Sequence, residues 1–119
     1  MNYSRGDIIL AELPFSDQRG AKVRPALVVQ SDRNNARLDD VILALITRTT
    51  TRATAKSTQL LVDITTPLGN ASGLLHTSAV KCEHLITLDR SLIQRVIGRL
   101  AEPLMQKINN CLKTALEIP

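Results

Sequence analysis

Aromatic residues are scarce in this chain, with no tryptophan, one tyrosine and one phenylalanine among 119 residues. That scarcity argues against nucleic-acid binding on a platform of exposed rings, which needs several of them. Two cysteines, Cys82 and Cys111, are too few for a disulfide framework, so the expected compartment is a reducing one, the cytoplasm. No apolar run approaches the roughly 20 residues that a membrane helix needs. The opening MNYSRGDIIL lacks the hydrophobic stretch of a secretory signal. There is no phosphate-binding glycine loop, no dinucleotide fingerprint, no HExxH and no paired CxxC. Ser, His and Asp are present without an order that makes a nucleophilic triad. His76, Cys82 and His84, with Glu83 adjacent, are spaced more loosely than structural zinc ligands. The reading preferred for them is a buried Cys82 and ordinary polar histidines, with Cys111 in the core.

Hydrophobic residues make up 44% of the chain, enough for one packed domain spanning residues 1–119. The net charge is +4 and is unevenly placed. Residues 19–57 hold eight basic side chains (Arg19, Lys22, Arg24, Arg33, Arg37, Arg48, Arg52, Lys56) against three aspartates, and the rest of the chain is close to neutral. A clustered basic region is the footprint of a polyanionic partner, although +4 by itself also suits a merely solvated face.

Hydrophobic patterning predicts short strands at 8–13, 26–30, 41–46, 59–64 and 77–82. The first three are nearly continuous apolar runs, as in strands covered on both faces. Arg24 precedes Pro25, which biases it toward extended geometry at a strand entrance. Residues 16–23, 31–40 and 48–57 read as polar loops, and Pro67, Gly69, Asn70 and Gly73 mark a turn region. Residues 89–100 read as a short helical turn followed by a strand. After Pro103, Leu104, Ile108, Leu112, Ala115 and Leu116 recur at helical spacing. Early strands closed by one helix predict an α+β, mainly β domain, or a small barrel with a helical lid.

Three stretches in order carry more information than composition: Arg5-Gly6-Asp7-Ile8-Ile9-Leu10, then residues 22–31 (KVRPALVVQS), then Leu45-Ile46-Thr47. Residues 78–83 (SAVKCE), Ile86 to Arg90 and Ile97-Gly98-Arg99-Leu100 follow, and then a helix. From about residue 5 to 117 this set resembles the MazF/PemK family of toxins from type II toxin–antitoxin systems. The resemblance implies an SH3-like small barrel with a C-terminal helix, paired as a homodimer. It also implies an endoribonuclease that cuts single-stranded RNA at short sequences, without metal or other cofactor, and so blocks translation. The implied partners are RNA and a cognate antitoxin that lays an acidic, otherwise disordered segment over the RNA groove, with no membrane association.

Residue by residue, the family's arginine before proline falls on Arg24 and its strand-end threonine on Thr47. The Arg-Cys-Asp segment of the PemK branch falls on Lys81-Cys82-Glu83, where lysine lacks arginine's bidentate fork. In such a nuclease the ribose 2′-hydroxyl is the nucleophile. Arg24 is then read as phosphate clamp and proton donor, Thr47 as transition-state donor, and Glu83 as the general base or a base-recognition acceptor. Arg19, Lys22, Arg48, Arg52, Lys56 and Lys81 are read as RNA-binding cations, and Phe15 as a core plug. Two alternatives share the fold: a CcdB-type gyrase poison, disfavoured because residues 115–119 (ALEIP) contain no aromatic, and a non-catalytic nucleic-acid-binding module.

Overall fold

The computed structural model describes residues 2–14, 21–53 and 57–119. Six antiparallel strands form one sheet: β1 (Asp7–Pro14), β2 (Ala21–Val28), β3 (Asp40–Thr47), β4 (Gln59–Val62), β5 (Ser78–Asp89) and β6 (Ile93–Arg99). Their spatial order is β4-β5-β3-β2-β1-β6. Helices α1 (Asp32–Arg37), α2 (Pro67–Asn70) and α3 (Glu102–Leu116) fill connections and close the chain.

The continuous apolar runs have the predicted consequence of burial on both faces. Ile9, Ala11, Ala26, Val28, Leu43 and Leu45 enter one core cluster, while their neighbours Ile8, Leu27 and Ala44 enter a second one, with Met105, Ile108 and Cys111 of α3. Alternation along a strand sends successive side chains to opposite faces, and here both faces are covered. On α3 the buried stripe runs through Met105, Ile108 and Cys111, and Leu116, expected on it, stands 54% exposed. Pro103 lies in the first turn, where its missing N–H costs nothing, and Glu117 ends the helix in a left-handed conformation at φ 56°.

The sheet is not hydrogen-bonded into a closed ring, because β4 and β6 remain its edges. The segment after α2 nevertheless reaches the β6 edge. After β4 and α2, Ser72-Gly73 crosses directly over Ile97-Gly98 of β6, backbone against backbone, leaving no room for a Cβ on either glycine. Gly73 also has φ +81°, a conformation that glycine adopts without strain. This contact ties the segment after α2 to β6, and a small-barrel description is compatible with the open sheet.

Four elements differ from the sequence reading. α1 occupies the expected polar loop 31–40: Ser31 caps it by accepting from the Asn34 N–H at 3.3 Å, and buried Asn35 exchanges side-chain bonds with Gln30. β2 starts at Ala21 rather than 26, so Arg24-Pro25 lies within the strand. The turn region 67–73 holds the single turn of α2. β5 runs to Asp89 instead of ending at residue 82. The short turn at Arg90–Leu92 followed by β6 is as expected. No helix among the described residues is long and apolar enough to cross a membrane.

Candidate active site

Pro25 opens the site. β2 is paired with β1 through Pro14↔Ala21, but it pairs with β3 only from Ala26↔Leu45 onward. At Pro25 the strand therefore has one neighbour instead of two, which is where a residue without an N–H is tolerated in a sheet. The β2–β3 register, carried two residues past its last pair, sets Arg24 opposite Thr47. The two strands part there, and a cleft of about 930 Å³ opens between them.

Arg24, Thr47, Arg48 and Lys81 line this cleft together. They come from β2, the end of β3 and β5. Arg24 is exposed and Thr47 half-buried. The Thr47 hydroxyl oxygen accepts from the Thr49 backbone N–H at 3.1 Å, which leaves its own hydrogen available to donate. Lys81 is paired with Leu45 on one side and Gln59 on the other, so its Cα is held in the middle of the sheet. Arg95 of β6, opposite Leu10, lines the same cleft, as do His76 and His84. None of these three is a cleft residue in the sequence reading. For Arg95 a signal existed, since on β6 it shares the period-2 face of Ile97.

β5 carries a large irregularity here. Between Leu45↔Lys81 and Ala44↔Leu85, β3 advances one residue and β5 advances four. Cys82, Glu83 and His84 are thus inserted, and regular alternation fails. Cys82 turns into the core. Burial pushes its thiol up to about 12, with Cys111 and Glu83 adding in the same direction. In the native protein Cys82 is therefore expected to resist iodoacetamide at pH 8 and to react only on unfolding. A native protein that alkylates rapidly at this position would contradict its burial.

Glu83 does not join Arg24 and Thr47 among the cleft-lining residues. Its Oε2 accepts from the Gln59 Nε2 at 2.6 Å. Partial burial alone would push its carboxyl up, but the bonds from Gln59, its own N–H and Thr58, together with the Lys81 charge, outweigh that and hold it below the ordinary glutamate value. A carboxylate so held is a poor proton acceptor near neutral pH. Lys22 and Arg52 are exposed but are not cleft-lining residues. Arg33 and Arg37 sit on α1 and are not cleft-lining residues either. Arg19, Lys56 and Phe15 lie outside the described residues.

The family model for the PemK-like, MazF-like toxin of type II toxin–antitoxin systems matches residues 4–116. The chain belongs to that family. It is 34% identical to endoribonuclease MazF6 of Mycobacterium tuberculosis over 99% of this chain and 100% of that one. A mycobacterial endoribonuclease solved in complex with its cognate antitoxin superposes with a TM-score of 0.75 at 28% identity, covering 99% of this chain and 98% of that one. The M. tuberculosis toxin MazF-mt6 superposes at 0.76 with 25% identity, over 95% and 98% of the two chains. The mainly β sheet with a C-terminal helix is thus the MazF toxin architecture.

Proposed function

We propose that this MazF-type endoribonuclease toxin cuts single-stranded RNA in the cleft between β2 and β3, with Arg24 as phosphate clamp and Thr47 as hydroxyl donor. The carrying observation is the convergence of Arg24, Thr47, Arg48, Lys81 and Arg95 on one cleft whose described lining residues include no carboxylate. Such a lining attracts a phosphodiester, and it offers a divalent cation none of the carboxylate oxygens that would hold it. The Arg24 guanidinium can grip two phosphate oxygens at once. With Thr47 beside it, charge growing on the phosphorus oxygens is met by fixed donors. The ribose 2′-hydroxyl then attacks the adjacent phosphorus, giving a 2′,3′-cyclic phosphate and a 5′-hydroxyl end.

Single strands are favoured because the same cleft has an apolar flank. Val23 (44% exposed), Leu75 (85%) and Val96 (38%) stand on it. Unpaired bases can press against them, which bases inside a duplex cannot do. Sequence preference is assigned to these contacts. The substrate class is messenger RNA, in the cytoplasm, and the outcome is arrested translation. A cognate antitoxin partner is supported by the related mycobacterial endoribonuclease solved in complex with its own, and an acidic segment of it would suit the cationic cleft. A homodimer is the expected assembly.

Incubation with single-stranded RNA in EDTA tests this reading. Fragments with 5′-hydroxyl ends support it, whereas retention of RNA without cutting would leave a binding module in its place. Binding to a non-cleavable strand should also weaken with salt. If three or four of the cleft cations touch phosphates, the log–log slope is about −2 to −3. A slope near zero would move the RNA away from the cleft.

A further inference from the structure

RNA cleavage by the ribose 2′-hydroxyl requires two proton movements, one off the nucleophile and one onto the leaving oxygen. The charged and titratable side chains among the described cleft-lining residues are Arg24 from β2, Arg48 after β3, Lys81 and His84 from β5, Arg95 from β6, and His76 from the segment before β5. Arginine and lysine keep their protons at neutral pH and hold phosphate well, but they do not accept a proton. Glu83, the carboxylate nearest in sequence, is turned to Gln59. Imidazole is the side chain that both accepts and donates in the neutral range.

The chain has two histidines, and both lie in this cleft. Each is brought there by a specific backbone device. The three-residue insertion in β5 places His84 in the same cleft as Lys81, where regular alternation would send the two to opposite faces. His76 follows the Gly73 crossing over β6, and its carbonyl accepts from the Ser78 hydroxyl at 2.7 Å, which ties the segment to the start of β5. Both residues are exposed, so neither imidazole is a core element satisfied by packing.

We infer that His76 and His84 are the proton-transfer pair of this site, one accepting the 2′-hydroxyl proton while the other, as imidazolium, protonates the departing 5′-oxygen. This inference rests on the reading of the cleft as the RNA-cleaving site. The O2′–P bond forms as the P–O5′ bond breaks. The 2′ proton ends on the first imidazole and the proton of the second ends on the 5′-hydroxyl product. No water is consumed, and the pair returns to its starting protonation by exchange with solvent. Arg24, Thr47 and Lys81 carry phosphate charge throughout.

The test uses the full chain and its variants His76→Gln and His84→Gln, with single-turnover cleavage of an RNA oligonucleotide measured against pH. Binding is measured on the same oligonucleotide carrying a 2′-deoxy sugar at the cleavage position. Each variant is expected to cut about 10²–10⁴-fold more slowly, to bind within a few-fold of the parent, and to lose one limb of a bell-shaped pH profile. A substrate with sulfur in the bridging 5′ position departs as thiolate and needs no acid, so it should restore one variant, the one missing the acid, and not the other. Parental rates and profiles in both variants, or sulfur restoring neither or both, would overturn the assignment. Arg24→Ala separates the two levels. If it is inactive while both histidine variants are active, the proton-transfer pair is wrong and the site stands; if it also cuts at the parental rate, the site reading itself fails.

Discussion

Replacing Arg24 with alanine is expected to slow RNA cleavage by at least about 10²–10³-fold, the cost of losing one preorganised donor to a developing oxyanion. Arg24 is exposed at a point where β2 has left β3, so the variant is expected to stay folded while its activity falls. Arg24→Lys keeps the charge without the planar fork, so only part of the rate should return. Thr47→Ser retains the hydroxyl and should be nearly neutral. Thr47→Val removes it along with the acceptor of the Thr49 N–H, and should fall between the parent and Arg24→Ala. Initial-rate measurements on one RNA oligonucleotide, with urea melts of each variant, check the whole series. A large loss of stability in Arg24→Ala would mean that the side chain holds the fold rather than the substrate.

The second large effect is structural and reaches the site through the backbone. Gly98→Ala is expected to cost about 1–3 kcal/mol or more, since its Cβ would stand far inside van der Waals contact distance of the Ser72 carbonyl oxygen. Backbone cannot yield as a flexible side chain does, so β6 and the 72–73 crossing must separate. That crossing leads into Leu75 and His76 on the cleft wall. Cleavage should therefore fall even at temperatures where the variant remains folded. Gly73→Ala meets the Ile97 carbonyl in the same way and adds the strain of φ +81°. Denaturant midpoints and cleavage rates measured together test the coupling. A stable Gly98→Ala with unchanged activity would show that neither fold nor site needs the crossing of residues 72–73 over β6.

Much of this architecture was legible in the residues because burial on both faces leaves a plain mark. Ile8 to Leu13 is apolar but for Glu12, Val41 to Ile46 is apolar throughout, and each run feeds two cores. The family-like order of segments groups Arg24 with Thr47, and both line the same cleft. α1 was not legible, since it has no apolar stripe and is held by the Ser31 cap and the Gln30–Asn35 exchange, both of which resemble loop chemistry in a sequence. β5 was read too short for a related reason. Lys81, Glu83 and His84 interrupt its pattern, because three of its residues are inserted without a rung on β3. Within this irregular stretch His84 lines the cleft and Glu83 does not. An irregular strand cannot be counted by twos, and its side chains are assigned to faces only once the register is known.

In the proposed mechanism Arg24 and Thr47 together cradle the scissile phosphate. The most direct measurement of this is the structure of the protein with a single-stranded RNA made uncleavable by a 2′-deoxy sugar at the cut position. The expected result places a non-bridging oxygen of that phosphate within hydrogen-bond distance of both the Arg24 guanidinium and the Thr47 hydroxyl, with the flanking bases against Val23, Leu75 and Val96. A phosphate seated elsewhere, with Arg24 and Thr47 both clear of the strand, would contradict it.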